Sequence, residues 1–281
     1  MDHRSLYLEC PSQEVIPGRP VLVGCPLDLT STFRSGSDAA PAAIRAASDS
    51  IETYSPLLDL DLSDRPFADL GDLPLDPRSL DASLASIEGV VSNIAKAGAR
   101  PLCLGGEHTI TLPIVTALDK IHHEFVILHL DAHTDLRTQY EGSAINHATV
   151  IRRLHEVVGP GRLIQMGIRS GTRGEFAWMR EQGTLMSWAP GRENILLERI
   201  RERPVYLTVD LDVLDPACFP GTGNPEAGGW FYRDMERLFL VLDEVELIAA
   251  DVVELNPGLD PSQVSAITAS KVVRELLLLL S

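Results

Sequence analysis

Short apolar runs alternate with helix-like stretches along nearly the whole chain, and this alternation limits the folds open to it more than any other feature. The runs fall at residues 21–24, 102–104, 125–130, 163–166, 205–209 and 247–253. Between them, helical spacing of apolar residues marks 42–50, 80–97, 112–120, 148–157, 175–182, 195–201 and 232–243. Continuous apolar runs suit strands buried on both faces, and a helix between successive strands implies right-handed crossovers. The expected fold is therefore α/β, three layers deep (α/β/α), with a mostly parallel sheet. A last Leu-rich run, 276–280, with Val272 and Val273 ahead of it, reads as the buried face of a final helix. It is far too short to span a bilayer.

With 281 residues, 44% of them hydrophobic, the chain can bury a full core. It has no linker, low-complexity tract or internal repeat, so residues 1–281 are expected to form one domain. A formal net charge of −16 repels phosphate backbones and anionic membranes, which argues against nucleic-acid and membrane partners. The same field favours a small cationic ligand. The opening residues MDHRSLYLECPSQ lack an apolar signal core, and Cys10, Cys25, Cys103 and Cys218 lack metal-type spacing. Both features suit a reduced, cytoplasmic setting.

In parallel α/β sheets the ligand crevice lies beyond the carboxyl ends of the strands. Three strand ends here carry polar residues directly after the apolar run: Gly105-Gly106-Glu107-His108, Asp131-Ala132-His133-Thr134-Asp135 and Asp210-Leu211-Asp212; a fourth run ends in Asp251-Val252-Val253-Glu254. Alternate side chains of an extended segment share a face, so Asp131, His133 and Asp135 can reach one locus, and Asp210 with Asp212 repeats the spacing. Four aspartates at one crevice repel one another unless protons or cations compensate, and two divalent ions would cancel their charge. Mixed carboxylate and imidazole donors without cysteine suit manganese better than magnesium or a thiolate zinc site. A metal pair can lower the pKa of a shared water and so attack a poorly electrophilic carbon such as that of a guanidinium.

Taken singly, each of these aspartates is an ordinary turn or cap residue, and His108 an ordinary first-turn residue. Their joint occurrence is what points to a metal site. His129 reads as a satisfied core histidine, His122 and His123 as solvated, and His155 and His3 carry no assigned role. Asn146 reads as an N-cap that places His147 in a first helical turn, where a near-neutral imidazole can pass a proton to a leaving amine. Glu254 can pair with a planar guanidinium through both carboxylate oxygens.

These residues resemble the ureohydrolase family of arginases, agmatinases and formiminoglutamases. The motifs GGEHTI (105–110), LDAHTD (130–135), VDLDVLDP (209–216), PGTGNPEAGG (220–229) and DVVELNP (251–257) stand in the family's order. RSGSDAAPAAIRAAS (34–48) resembles the family's N-terminal loop and helix, and ADLGD (68–72) its next strand end. The resemblance implies the arginase-like three-layer fold and two Mn2+ ions per subunit. One ion would be held by His108, Asp131, Asp135 and Asp210, the other by His133, Asp131, Asp210 and Asp212. It also implies catalytic roles for His147, Glu254 and Asp135, a guanidinium held by Glu254, and a homo-oligomer, trimer or hexamer.

PGTGNPEAGG is closer to agmatinases than to arginases, and Arg137 stands where arginases carry the Asn that holds the amino-acid end of arginine. The expected substrate is therefore agmatine, or the aminopropylagmatine acted on by related enzymes. Arg137 also suits a carboxylate-bearing substrate, as in formiminoglutamase or a guanidinobutyrate-type hydrolase. From other classes, a metal-dependent deacetylase or a non-catalytic metal-binding protein remains as an alternative.

Overall fold

The computed structural model describes residues 6–10 and 12–281; His3 lies outside them. Seven strands form one sheet: β1 (Pro20–Cys25), β4 (Ala68–Asp72), β5 (Arg100–Gly105), β6 (Val126–Leu130), β7 (Leu163–Met166), β8 (Val205–Asp210) and β9 (Leu247–Val253). A two-residue hairpin of β2 (Tyr54–Ser55) and β3 (Leu60–Asp61) lies outside it. The order is β4-β1-β5-β9-β8-β6-β7, and every pairing is parallel.

Helices α1 (Ala40–Ser48), α2 (Leu80–Lys96), α3 (Thr111–Asp119), α4 (Val150–Val158), α5 (Arg173–Gln182), α6 (Glu193–Ile200), α7 (Tyr232–Leu242) and α8 (Val264–Leu279) cover its faces. The alternation of strand side chains divides the core in two. Leu22, Leu102, Leu128, Leu207 and Val252 pack with Ile44 of α1, Leu196 of α6, Leu238 of α7 and Val273 of α8. Their chain neighbours Val21, Cys103, Ile127, Tyr206 and Val253 pack with Ile87 of α2, Ile114 of α3, Leu154 of α4 and Met179 of α5. Each fully buried aliphatic side chain contributes about 1.5–3 kcal/mol, so neither face tolerates a slip in strand register.

All six apolar runs are strands, and the fold is the expected three-layer α/β/α. The helix boundaries move by one or two residues, and that of the last helix by more. The last helix begins at Val264, because its first turns carry small residues such as Ala266 and Ala269, which pack in the core without forming an apolar run. The helix expected from 148 begins at Val150, preceded by a 3-10 turn, His147–Thr149. There Asn146 does not cap with its side chain, which donates to the Tyr140 carbonyl; the Thr149 hydroxyl accepts the Asn146 N–H instead.

The topology positions the site. The four strand ends bearing the polar motifs belong to β5, β9, β8 and β6, the four consecutive strands in the middle of the sheet. Glycines allow the closest approach among them. A Cβ on Gly106 would lie 2.0 Å from the Leu27 carbonyl oxygen, and one on Gly105 would lie 2.5 Å from Val253. The Gly106 carbonyl in turn accepts the Glu254 N–H at 2.9 Å, tying the end of β5 to that of β9.

Candidate metal centre

His108, Asp131, Asp135, Asp210 and Asp212 are all buried, and His133 is partly so. His108 Nδ1 lies 3.4 Å from Asp131 Oδ2, 3.3 Å from Asp135 Oδ2 and 3.3 Å from Asp210 Oδ2. That nitrogen makes no hydrogen bond although it is buried. Donors about 2.0–2.2 Å from one ion stand roughly 3–3.5 Å from each other, so the spacing fits a shared cation. On the other side, His133 Nδ1 lies 2.8 Å from Asp212 Oδ2 and 3.5 Å from Asp131 Oδ1. Hard carboxylate oxygens with one imidazole on each side suit two divalent ions, Asp131 standing between them.

Electrostatics agrees with that fit. Burial disfavours charge on His108, yet Asp131, Asp135 and Asp210 outweigh it and hold its pKa well above the imidazole range. His133 is raised in the same way, burial being overcome by Asp212 and Asp131. Burial, with the neighbouring carboxylates, pushes Asp210 well up and Asp212 up. Asp131, despite its burial, is held well below the carboxylate range by His108, His129 and His133. Protons and divalent cations thus compete for one pool of negative charge.

His129 also lies close enough to group with His108 and Asp131 as a third donor. Its hydrogen bonds rule that out. The Gln165 side-chain N–H lies 3.3 Å from His129 Nδ1 and donates to the Thr134 carbonyl, while Gln165 Oε1 accepts from Thr184. With Nδ1 accepting, Nε2 carries the proton and donates to Asp131 Oδ2 at 2.8 Å, leaving no lone pair for a metal. His129 is indeed a satisfied core histidine, but what it satisfies is a candidate metal ligand, which sequence reasoning missed. A second support was missed too: His108 Nε2 lies 3.0 Å from the Thr208 hydroxyl, which donates to the buried Asp251 at 2.7 Å.

A cavity of about 410 Å³ opens onto His133, Asp135, Asp210, Asp212 and Glu254. His147, Arg137 and Tyr140 line it as well. Glu254 Oε1 accepts the His108 backbone N–H at 2.8 Å. Burial pushes the Glu254 carboxyl up to about 8, with the charges of Glu107 and Asp212 adding to the effect and the His108 N–H opposing it. Arg137 is exposed, its guanidinium 4.8 Å above the Tyr140 ring. Asp135 and Glu254 both have left-handed backbones, at φ +48° and +66°. Such strain in non-glycine residues concentrates at functional sites.

Of the remaining histidines, His155 packs against Trp178 at 4.8 Å, and His123 is exposed. His122 is partly buried rather than fully solvated, and that burial lowers its pKa.

A parallel α/β/α sheet with paired His/Asp clusters at the carboxyl ends of its central strands defines a metal-dependent hydrolase of the α/β class. The chain belongs to the arginase family, whose model matches residues 19–279. It is 42% identical over 262 residues to the agmatinase of Bacillus subtilis, covering 92% of this chain and 90% of that one. It is 35% identical to the N(1)-aminopropylagmatine ureohydrolase of Thermococcus kodakarensis, covering 96% and 94%. Among solved structures, agmatine ureohydrolase of Thermoplasma volcanium superposes with a TM-score of 0.86 at 30% identity, covering 98% of this chain and 93% of that one.

Proposed function

We propose that this chain is a manganese-dependent ureohydrolase that cleaves agmatine, or agmatine extended at a nitrogen, to urea and the corresponding amine. The observation that carries the proposal is the buried, unbonded His108 Nδ1 among three carboxylate oxygens, of which those of Asp135 and Asp210 belong to residues lining the cavity together with Glu254. His108, Asp131, Asp135 and Asp210 would hold one ion, and His133, Asp131, Asp210 and Asp212 the other. When bound, the metal pair supplies a water acidic enough to be a nucleophile near neutral pH.

The protein's own groups do the rest. Glu254, ionised beside a cationic guanidinium, accepts two of its N–H groups and fixes the carbon toward the aspartates. Asp135, 3.3 Å from His108 Nδ1 and lining the cavity, would orient the attacking water by a hydrogen bond. His147 delivers a proton to the departing amine. The acidic net charge steers a cationic substrate inward. Sequence similarity to an agmatinase and an aminopropylagmatine ureohydrolase supports the cationic tail.

A second reading rests on Arg137, which lines the cavity and suits a carboxylate-tailed substrate such as guanidinobutyrate or formiminoglutamate. Urea release from agmatine, aminopropylagmatine, arginine and guanidinobutyrate, with formamide release from formiminoglutamate, decides between them. Agmatine or its aminopropyl derivative should be turned over best, and Arg137→Ala should spare it. A preferred anionic tail, lost with Arg137→Ala, selects the second reading, and acetate release from an acetylated amine would replace both.

Residues 1–281 fit a single domain, since one sheet takes its strands from residues 20 to 253. Among the described residues no helix is long and apolar enough to cross a membrane; a cytoplasmic setting is the one that the four free thiols suit. A trimer or hexamer is the assembly suggested by the family resemblance.

A further inference from the structure

Outside the acidic cluster, one hydrogen-bonded chain reaches the cavity from behind. Glu107 is completely buried, and Thr30, on the loop after β1, clasps it with both donors: its N–H reaches Oε2 at 2.6 Å and its hydroxyl Oε1 at 2.8 Å. His147 meets Thr30 from the other side, its backbone N–H donating to Thr30 Oγ1 at 3.1 Å and its Nδ1 lying 3.3 Å from the same oxygen. Thr109 Oγ1 is 3.2 Å away as well.

The Thr30 hydroxyl has one proton and three neighbours that could accept it: a carboxylate oxygen, an imidazole nitrogen and another hydroxyl. The contact to Glu107 is the shortest of the three, and the Thr30 N–H already donates to the other oxygen of the same carboxyl. The proton therefore points at Glu107, and Thr30 Oγ1 faces His147 as an acceptor. The His147 backbone N–H takes one lone pair of that oxygen, and the other suits an Nδ1–H donor, whereas a bare Nδ1 would set lone pair against lone pair.

From this geometry we propose that Thr30 and Glu107 are positioning residues that hold His147 as its Nδ1–H tautomer, leaving Nε2 as the only ring atom that exchanges protons. The proposal rests on the reading of His147 as proton donor. In the catalytic step the Nε2–H proton of the imidazolium passes to the departing amine nitrogen. The C–N bonding pair leaves with that nitrogen, and the histidine ends neutral with Nδ1–H still donated to Thr30. Glu107 acts on the histidine only through the Thr30 hydroxyl that it fixes. The arrangement follows the logic of a catalytic triad, in which a third group fixes tautomer and orientation.

The test is ¹⁵N NMR of histidine-labelled full-length protein, loaded with magnesium in place of paramagnetic manganese and assigned by the signals lost in His147→Gln. The wild type should show a protonated Nδ1 and an unprotonated Nε2 for neutral His147. Thr30→Val and Glu107→Gln should shift that balance toward Nε2–H, and Thr30→Ser should keep the wild-type pattern. In the manganese enzyme, Thr30→Val should lower kcat by roughly 10²–10⁴, the size of a proton-transfer contribution, with KM and metal content held, and Thr30→Ser should restore most of it. A wild-type His147 protonated at Nε2 alone overturns the proposal, and this measurement stands even if Thr30→Val fails to fold. An unchanged tautomer in a folded Thr30→Val overturns it too. Full turnover by His147→Gln would instead remove the underlying reading of that histidine, whatever its tautomer.

Discussion

Removing divalent metal should lower the melting temperature of this protein by several degrees for each site emptied. The acidic cluster brings Asp131, Asp135, Asp210 and Asp212 together only in the folded state, so ions bound there stabilise that state over the unfolded one. At a free metal concentration about 100 times Kd, each site contributes about 2.7 kcal/mol. A chain of 281 residues has an unfolding entropy of roughly 0.6 kcal/mol/K, at about 2.1 cal/mol/K per residue. One site is thus worth about 4–5 °C and two sites about 9 °C. Calorimetry before and after chelation, with manganese restored in a third scan, measures the effect. Asp131→Asn should lose most of the metal-dependent increment, because its carboxylate stands between the two histidines. A chelated protein melting within about 1 °C of the loaded one would refute the argument that cations balance this cluster.

Glu254→Gln should keep both metals while turnover falls at least about 100-fold, since a neutral amide cannot accept two guanidinium N–H bonds as a carboxylate does; atomic absorption alongside urea release separates this from simple metal loss. Gln165→Leu should weaken metal binding roughly 10–100-fold, because it frees the ring of His129, which orients Asp131. Isothermal titration with manganese measures that change, and unaltered affinity would mean that His129 does not need Gln165 to hold the carboxylate.

The parts legible in sequence share a physical cause. Residues 205–209 and 247–253 are recognisable as strands because both faces of the central strands are buried, leaving runs that are apolar except at Thr208 and Asp251. By contrast β4, at the edge of the sheet and partly exposed, has the mixed pattern ADLGD, and only its resemblance to known relatives marked it. The candidate ligands were legible because strand geometry puts alternate residues on one side, as in Asp131, His133 and Asp135. Their supports were not, since Thr30 and His147 are separated by 117 positions, His129 and Gln165 by 36, and neither spacing carries a local signature. Asp251 reads in sequence as a strand-end acid, yet its carboxylate is buried against Thr208, Thr111 and Tyr206 rather than lining the cavity.

Anomalous diffraction at the manganese edge, from crystals grown with manganese, tests the central claim most directly. Two peaks roughly 3.5–4 Å apart should appear, one beside His108 Nδ1 and the other beside His133 Nδ1, with Asp131 and Asp210 touching both. A single peak, or one ligated by His129 in place of Asp135 or Asp210, would contradict the account.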